Sequence, residues 1–244
     1  MKLFSRDPLT FFGIPVGVDA VVDPTVDLGL FQPENPSLLV PRTLGAGWDL
    51  NVGALAVKLG LIRPDDSLED LEEYIPARTG RVLAVAPWAG AAVVAVVACM
   101  VGSSSKQLPK GWTPTIRPKA AASSWSSLLP AVLGSAGLAA WNGWRRSSSQ
   151  RVDAPGSALA VATDAAMASD LVARCLAAHG STRSARLLAF ITPAIVPVIL
   201  TGTLVGTVKS ALTNLDHQLR KASVQNPMGP TDLTDFAKPA SPHS

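Results

Sequence analysis

The sequence predicts a mainly α integral membrane protein with three transmembrane helices and an N-terminal region of irregular structure and one interfacial helix. Two observations predict this class. Of the 244 residues, 48% are hydrophobic and only 16% are charged, whereas soluble domains carry about a quarter charged residues. In addition, the stretches 82–101, 124–144 and 187–208 are uncharged, and each has the roughly 20 residues that a helix needs to cross a bilayer.

Composition also excludes some functions. The net charge is only +3, and the basic residues are spread along the chain, so nucleic-acid binding is not expected. Two cysteines define no disulfide framework. The apolar N-terminus is interrupted by Asp7, Pro8 and Asp19, and no small-residue cleavage site follows. We therefore expect no cleaved signal peptide.

The N-terminal region, residues 1–80, begins with a Pro- and Gly-rich part for which we predict irregular structure and at most one short strand. Residues 49–62 predict a helix with Asp49 as its N-cap. Its polar residues Asn51 and Lys58 share one narrow face, and the other faces are apolar. This helix is too short to span a bilayer, and two placements remain open. It lies in the membrane interface with its polar stripe outward, or other helices bury it.

A short acidic helix is predicted at 67–75. Ser67 and Asp70 form a capping box at its start. The spacing of Leu68, Leu71 and Ile75 places these three side chains on one face. The acidic residues of this helix are then expected to lie on the face that contacts solvent.

The membrane region is predicted to cover residues 81–208. Tryptophans flank the second span in the pattern of an aromatic belt. We expect interface anchors at Trp125, Trp141 and Trp144, with further anchors at Trp48 and Trp112. The third span carries the G-x-x-x-G spacing that lets helices approach closely. The candidate helix-packing residues are Gly202 and Gly206, with Gly134 and Gly137 in the second span. Packing within the chain is favoured over dimerisation.

Between the second and third spans, residues 145–186 predict a polar loop that contains a helix at 156–179. Asp164, Asp170 and Arg174 would each cost about 2.5–3.5 kcal/mol at the bilayer centre. We therefore expect a surface helix, with Asp170 and Arg174 paired at i, i+4. In the alternative the helix is buried, and the same three residues become functional candidates.

The remaining chain, residues 209–244, predicts a helical extension followed by a disordered tail. Three spans would put the two chain ends on opposite sides of the membrane. The charges of the loops are nearly balanced between the sides. We expect a multi-pass protein of the cell membrane with a cytoplasmic N-terminus, because the large N-terminal region would otherwise have to be translocated.

Residues 33–51 carry a recognisable pattern, which consists of Pro33-Glu34-Asn35-Pro36, Leu39-Val40-Pro41-Arg42 and Gly45-Ala46-Gly47-Trp48-Asp49-Leu50-Asn51. This segment resembles a short domain of unknown function that occurs in prokaryotic, often actinobacterial, multi-pass membrane proteins. Here Asp49 stands where that domain usually has Thr. The resemblance implies a prokaryotic membrane protein and no particular activity. From the residues themselves we expect a structural elbow, with Gly45 and Gly47 in a tight turn.

No catalytic, metal-binding or nucleotide-binding signature is found. The three histidines are isolated in sequence, and no C-x-x-C, H-E-x-x-H or P-loop occurs. We expect no cofactor and no enzymatic activity. The favoured function is a non-catalytic membrane subunit or scaffold, with the lipid bilayer and a homo- or hetero-oligomeric membrane protein as partners. The alternative is a transporter or pore component, which would need Pro193 and Pro197 together with a buried Asp164 or Asp170. A membrane-bound enzyme is a distant third.

Overall fold

The computed structural model describes residues 9–11, 14–18, 20, 23–43, 45–149 and 152–225. Most of these residues are helical. In chain order the elements are β1 (Leu9–Phe11), β2 (Ile14–Gly17), β3 (Leu39–Pro41), β4 (Gly45–Ala46), β5 (Trp48–Leu50), α1 (Val52–Lys58), α2 (Leu68–Leu71), a 3-10 turn (Glu72–Tyr74), α3 (Ala77–Ser104), β6 (Gln107–Pro109), β7 (Ala121–Ser123), α4 (Ser124–Ser149), α5 (Ala154–Ala178) and α6 (Thr182–Gln225).

The four long helices, α3 to α6, form an up-down-up-down bundle. Thr79, in the first turn of α3, shares a 3.0 Å hydrogen bond with Ser210 far along α6, so these two helices are antiparallel. Ser104, at the other end of α3, lies 3.5 Å from the thiol of Cys175 at the end of α5, so α3 and α5 are parallel. Helix α5 contacts all three of the other long helices.

The expected surface helix at 156–179 is wrong. Every residue of α5 from 154 to 171 is buried or half-buried, and Asp164 is only 2% exposed. The alanines, serines and glycine that line α5 explain this position, because small side chains let three neighbouring helices approach one helix closely. The residues predicted as a polar loop instead complete α4 and form the centre of the bundle.

Two helices among the described residues are long and apolar enough to cross a membrane. They are α3, whose most apolar 18 residues have a mean hydropathy of 2.3, and the Thr182–Ser223 part of α6, whose most apolar 18 residues have a mean hydropathy of 2.1. These helices contain the predicted spans 82–101 and 187–208. The predicted span 124–144 is helical and lies within α4, but α4 does not reach the same hydropathy. Its serines and asparagine lower the average.

The N-terminal region packs at one end of the bundle, and it contains more strands than predicted. Strand β2 pairs antiparallel with β1 and β4, and β3 pairs antiparallel with β5. The side-chain amide of Asn214 on α6 donates a 2.9 Å hydrogen bond to the carbonyl of Tyr74. The C-terminal part of α6 therefore lies at the same end of the bundle as the N-terminal region, and the expected opposite placement is wrong.

The predicted helix 49–62 is shorter than expected. Asp49 lies in β5 and forms an ion pair with Arg42 at 2.7 Å, and Asn51 is the N-cap of α1. Asn51 is fully buried, so the outward polar stripe is wrong. Helix α1 packs against α6, which is the second of the two placements that the sequence left open.

Two local predictions are confirmed. The hydroxyl of Ser67 accepts a hydrogen bond from the backbone N–H of Asp70 at 3.2 Å and caps α2. Gly45 and Gly47 adopt φ values of 94° and 106°, which side-chain-bearing residues rarely adopt. The helical extension beyond 208 is also present, because α6 continues to Gln225. The predicted disordered tail at 226–244 lies outside the described residues.

Candidate functional site

The outward faces of the long helices are apolar. Exposed fractions reach 62% for Val85, 67% for Leu133 and 69% for Val198. This surface, which we call the outer belt, consists of Val82, Val85, Trp88, Val93, Val96, Met100, Trp125, Leu129, Leu133, Trp144, Leu187, Phe190, Ile191 and Val198. On α3 it extends over 18 steps of the chain, which correspond to about 27 Å along a helix axis.

The interior of the bundle is polar along one line. Helix α4 turns Ser127, Ser135, Asn142 and Arg145 inward, and all four are buried. Their positions differ by seven or eight residues, or by three, so they share one face of a helix. Helix α5 presents Ser157 and Asp164 to this face. We call these six residues the polar seam.

Hydrogen bonds connect α4 and α5 at three levels of the seam. Near its middle, the hydroxyl of Ser135 donates to Oδ1 of Asp164. Two helical turns away, the hydroxyl of Ser157 donates to Oδ1 of Asn142 at 3.3 Å. At the end beside the N-terminal region, Nε of Arg145 donates to Oδ2 of Asp153 at 2.8 Å. The seam is thus built from side chains of two adjacent antiparallel helices.

Several polar atoms of the seam have no partner. Among the described residues, the buried atoms Oγ of Ser127, Nδ2 of Asn142, Nη1 of Arg145 and Oδ2 of Asp164 form no hydrogen bond. Buried polar groups are nearly always hydrogen-bonded in proteins. Four such atoms on one helix interface lower the stability of the fold, so the polar residues of the seam need another explanation than stability.

Asp164 also contacts α3 directly. A Cβ atom built on Gly90 would lie 2.4 Å from Oδ2 of Asp164, so only glycine fits at this position. The carboxyl group is enclosed by Gly90 on one side and Ser135 on the other. Gly90 is in the middle of the uncharged part of α3, which places Asp164 at about half the height of the outer belt.

A cleft opens at the end of the seam that faces the N-terminal region. This proximal cleft has a volume of about 410 Å³, and its charged lining residues are Asp27, Glu69, Glu72, Arg145 and Asp153. Arg145 is held firmly, because its Nη2 donates to the carbonyl of Val26 at 3.0 Å and its guanidinium lies 5.1 Å from the ring centre of Trp141. Trp141, predicted as an interface anchor, therefore has a partner inside the protein.

Asp27 lies between the proximal cleft and a neighbouring acidic cavity. Desolvation raises the pKa of Asp27 above its ordinary value, and the carboxylates of Glu69 and Asp153 raise it further, although backbone N–H groups of Gly29 and Leu28 oppose the shift. Burial of Asp27 at the edge of the crevice is the main cause of this raised pKa, and the two nearby carboxylates add to it.

A second cleft opens at the opposite end of the seam. This distal cleft has a volume of about 580 Å³ and is lined in part by Lys110, Ser127, Asp170 and Arg174. The predicted pair is confirmed, because Asp170 and Arg174 form an i, i+4 ion pair. The indole N–H of Trp112 donates to Oδ1 of Asp170 at 2.8 Å. This bond attaches the β6–β7 connection to α5.

The glycines predicted to mediate packing differ in their surroundings. Gly134 packs within the chain, since its Cβ position lies 3.5 Å from the methyl group of Met167. Gly137, Gly202 and Gly206 have no atom of the described residues within 4 Å of that position. The expectation that Gly202 and Gly206 pack within the chain is therefore wrong, and the G-x-x-x-G face of α6 is open.

The segment 45–51 forms an elbow between the strands and α1. Asn51 connects β5 to α1, and its amide Nδ2 donates to the carbonyls of Gln32, Asn35 and Ser37 at 2.9, 3.1 and 3.1 Å. Its Oδ1 accepts from the backbone N–H groups of Gln32 and Ala54. One buried side chain thus holds the turn at 32–37 against the start of α1.

The described part of the chain contains no group of three or more His, Cys, Asp or Glu side chains that could hold a metal ion. Sequence reasoning identified Asp164, Asp170 and Arg174 but missed Ser135, Asn142 and Arg145. Their spacing of three and seven residues in a serine-containing apolar helix was the available signal.

No family model, curated protein or solved structure matches the chain.

Proposed function

We propose that the chain is a multi-pass integral membrane subunit in which all four long helices are embedded, with the N-terminal region as a cap at one end. The observation that carries this proposal is the inverted distribution of polarity. The outer belt is apolar and uncharged, whereas the buried α4–α5 interface holds serines, an asparagine and a carboxyl group. A soluble bundle has the opposite distribution, because exposed apolar patches of this size are rare on soluble monomers.

The packing of α5 supports its embedding. The insertion cost of Asp164 applies to a side chain that faces lipid, but here Ser135 and Gly90 enclose the carboxyl group. Polar side chains in membrane proteins face the bundle interior for this reason. The contact between Tyr74 and Asn214 supports four spans, because an even number of spans would bring both ends of the bundle region to the same side of the membrane. We assign that side to the cytoplasm.

We further propose that α6 binds a transmembrane helix of a partner chain. Val198, Gly202 and Gly206 follow one another at four-residue spacing, and all three are exposed. Exposed glycines at this spacing let a second helix approach closely and gain van der Waals contact. This open face is what a subunit of a larger assembly requires.

Substitution of the open glycines tests this assignment. Gly202→Leu and Gly206→Leu should leave the monomer folded, because no atom of another described element lies within 4 Å of the Cβ position at either glycine. Both should abolish a stoichiometric complex seen by native mass spectrometry in mild detergent, which also tells a second copy from a different subunit. Gly137→Leu, at an equally open glycine on α4, is the matched control and should retain the complex. A wild-type chain that runs only as a monomer would contradict the proposal.

A transporter or pore component is the second candidate function. The buried carboxyl group of Asp164 favours it, since an ionisable side chain inside a membrane bundle is costly and is kept for transport or proton transfer.

A further inference from the structure

Asp164 has no counter-charge near it. Among the described residues, α3 has no charged side chain between Arg81 and its end at Ser104, and its one thiol, Cys99, is nine residues from Gly90. Helix α6 has no charged side chain between Arg186 and Lys209. On α4 the nearest charge is Arg145, ten residues from Ser135, and on α5 the nearest is Asp170. The carboxyl group is therefore surrounded by neutral side chains among the described residues.

The seam leads from Asp164 towards both clefts. Ser135 lies about 15 Å along α4 from Arg145 and about 12 Å from Ser127 at the usual helical rise. Arg145 lines the proximal cleft and Ser127 lines the distal cleft. Asp164 lines neither, and it lies about midway between them.

The unpartnered atoms are distributed along this line. Nη1 of Arg145, Nδ2 of Asn142, Oδ2 of Asp164 and Oγ of Ser127 occur in this order from the proximal to the distal cleft. Each one is a buried polar group able to hydrogen-bond a water molecule. The amide of Asn142 and the guanidinium of Arg145 only donate, so the proton itself would pass between hydroxyl groups, the carboxyl group and the water molecules that the unpartnered atoms hold. A larger ion would have to leave its hydration shell between Gly90 and Ser135, where the packing is close.

We propose that the polar seam conducts protons between the two clefts, with the carboxyl group of Asp164 as the central proton-binding site. Oδ2 accepts a proton that arrives from one cleft, and the carboxyl group releases a proton towards the other, so that no bond other than O–H forms or breaks. The proposal rests on the proposed embedding of the bundle in the membrane.

The test uses the full chain reconstituted into vesicles of phosphatidylcholine and phosphatidylglycerol that contain a trapped pH-sensitive dye. A potassium gradient with valinomycin supplies the driving force. The wild-type protein should acidify the vesicles faster than protein-free vesicles do, and Asp164→Asn should lose this flux. The amide of Asn can still accept the hydrogen bond from Ser135, but it cannot exchange a proton at physiological pH.

Glycine variants provide a second, independent test. Gly90→Ala places a methyl group against Oδ2 of Asp164 and should reduce the flux, whereas Gly137→Ala meets no atom within 4 Å and should retain it. A wild-type flux equal to that of protein-free vesicles overturns the proposal, as does a folded Asp164→Asn or Gly90→Ala variant with undiminished flux. A separate measurement asks whether alkaline buffer extracts the protein from the same vesicles. Extractable protein refutes the embedding itself, and resistant protein without flux refutes only conduction.

Discussion

Replacement of Asn51 should separate two roles that one buried side chain combines. Its Oδ1 caps α1, and its Nδ2 binds three backbone carbonyls of the turn at 32–37. Asn51→Asp keeps the capping oxygen, and Asp is as good an N-cap as Asn. It removes the amide hydrogens, however, and brings a carboxylate against the three carbonyl oxygens.

The expected loss follows from these bonds. The amide group has two N–H donors, so its three contacts amount to about two full hydrogen bonds. Each contributes about 1 kcal/mol, and their loss should lower the local stability of this segment by about 2 kcal/mol. Asn51→Ala should lose about 1 kcal/mol more, because it also removes the cap. A difference of about 2 kcal/mol corresponds to roughly thirtyfold faster opening of the segment.

Amide hydrogen exchange measured by mass spectrometry on peptides from 30–58 is the appropriate assay, because it reports local opening. Asn35→Ala serves as a control, since its side chain makes only two hydrogen bonds at the surface of the same turn, and it should change exchange much less. If Asn51→Asp exchanged at the wild-type rate, capping alone would explain Asn51, and the role assigned to its amide would be refuted.

Two further predictions concern the proximal cleft. The pKa of Asp27 is raised in the folded protein, so the folded state binds the proton more tightly than the unfolded chain, and stability decreases as the pH rises from the ordinary value of 3.8 through the raised pKa. Asp27→Asn should remove this decrease, as melting temperatures at pH 4 and pH 7 in detergent would show; an unchanged pH dependence would contradict it. Arg145→Gln leaves Asp153 without its buried partner and should cost about 3 kcal/mol, measured by denaturant unfolding, whereas Arg220→Gln breaks only the exposed pair with Asp216 and should cost less than about 0.5 kcal/mol. Equal costs for the two arginines would be inconsistent with the burial of Arg145.

The long apolar helices could be predicted from sequence because their signal is local. An uncharged stretch of about 20 residues specifies a helix whatever its neighbours are. The residues predicted at 82–101 and 187–208 lie within α3 and α6. The Ser67 cap and the Asp170–Arg174 pair were accessible for the same reason, since both depend on residues three or four positions apart.

Helix α5 could not be predicted in the same way. The insertion cost of Asp164 was counted as if the side chain faced lipid, but the cost depends on which helices surround it. Ser135 and Gly90 lie 29 and 74 positions away in sequence, and only tertiary packing brings them to the carboxyl group. Asn51 is misplaced because Asp49 is the predicted N-cap, whereas Asp49 lies in β5 and pairs with Arg42, and Asn51 itself caps α1.

The central claim is that the outer belt faces lipid, and spin-label accessibility in nanodiscs tests it most directly. With both native cysteines replaced by serine, a nitroxide would be attached in turn at Val85, Leu133, Phe190 and the exposed residue Asp216. The three belt positions should collide frequently with oxygen, which concentrates in the bilayer, and rarely with a water-soluble nickel chelate. The label at Asp216 should show the reverse. Nickel collisions at the belt positions as frequent as those at Asp216 would mean that water surrounds the bundle, and would contradict the account.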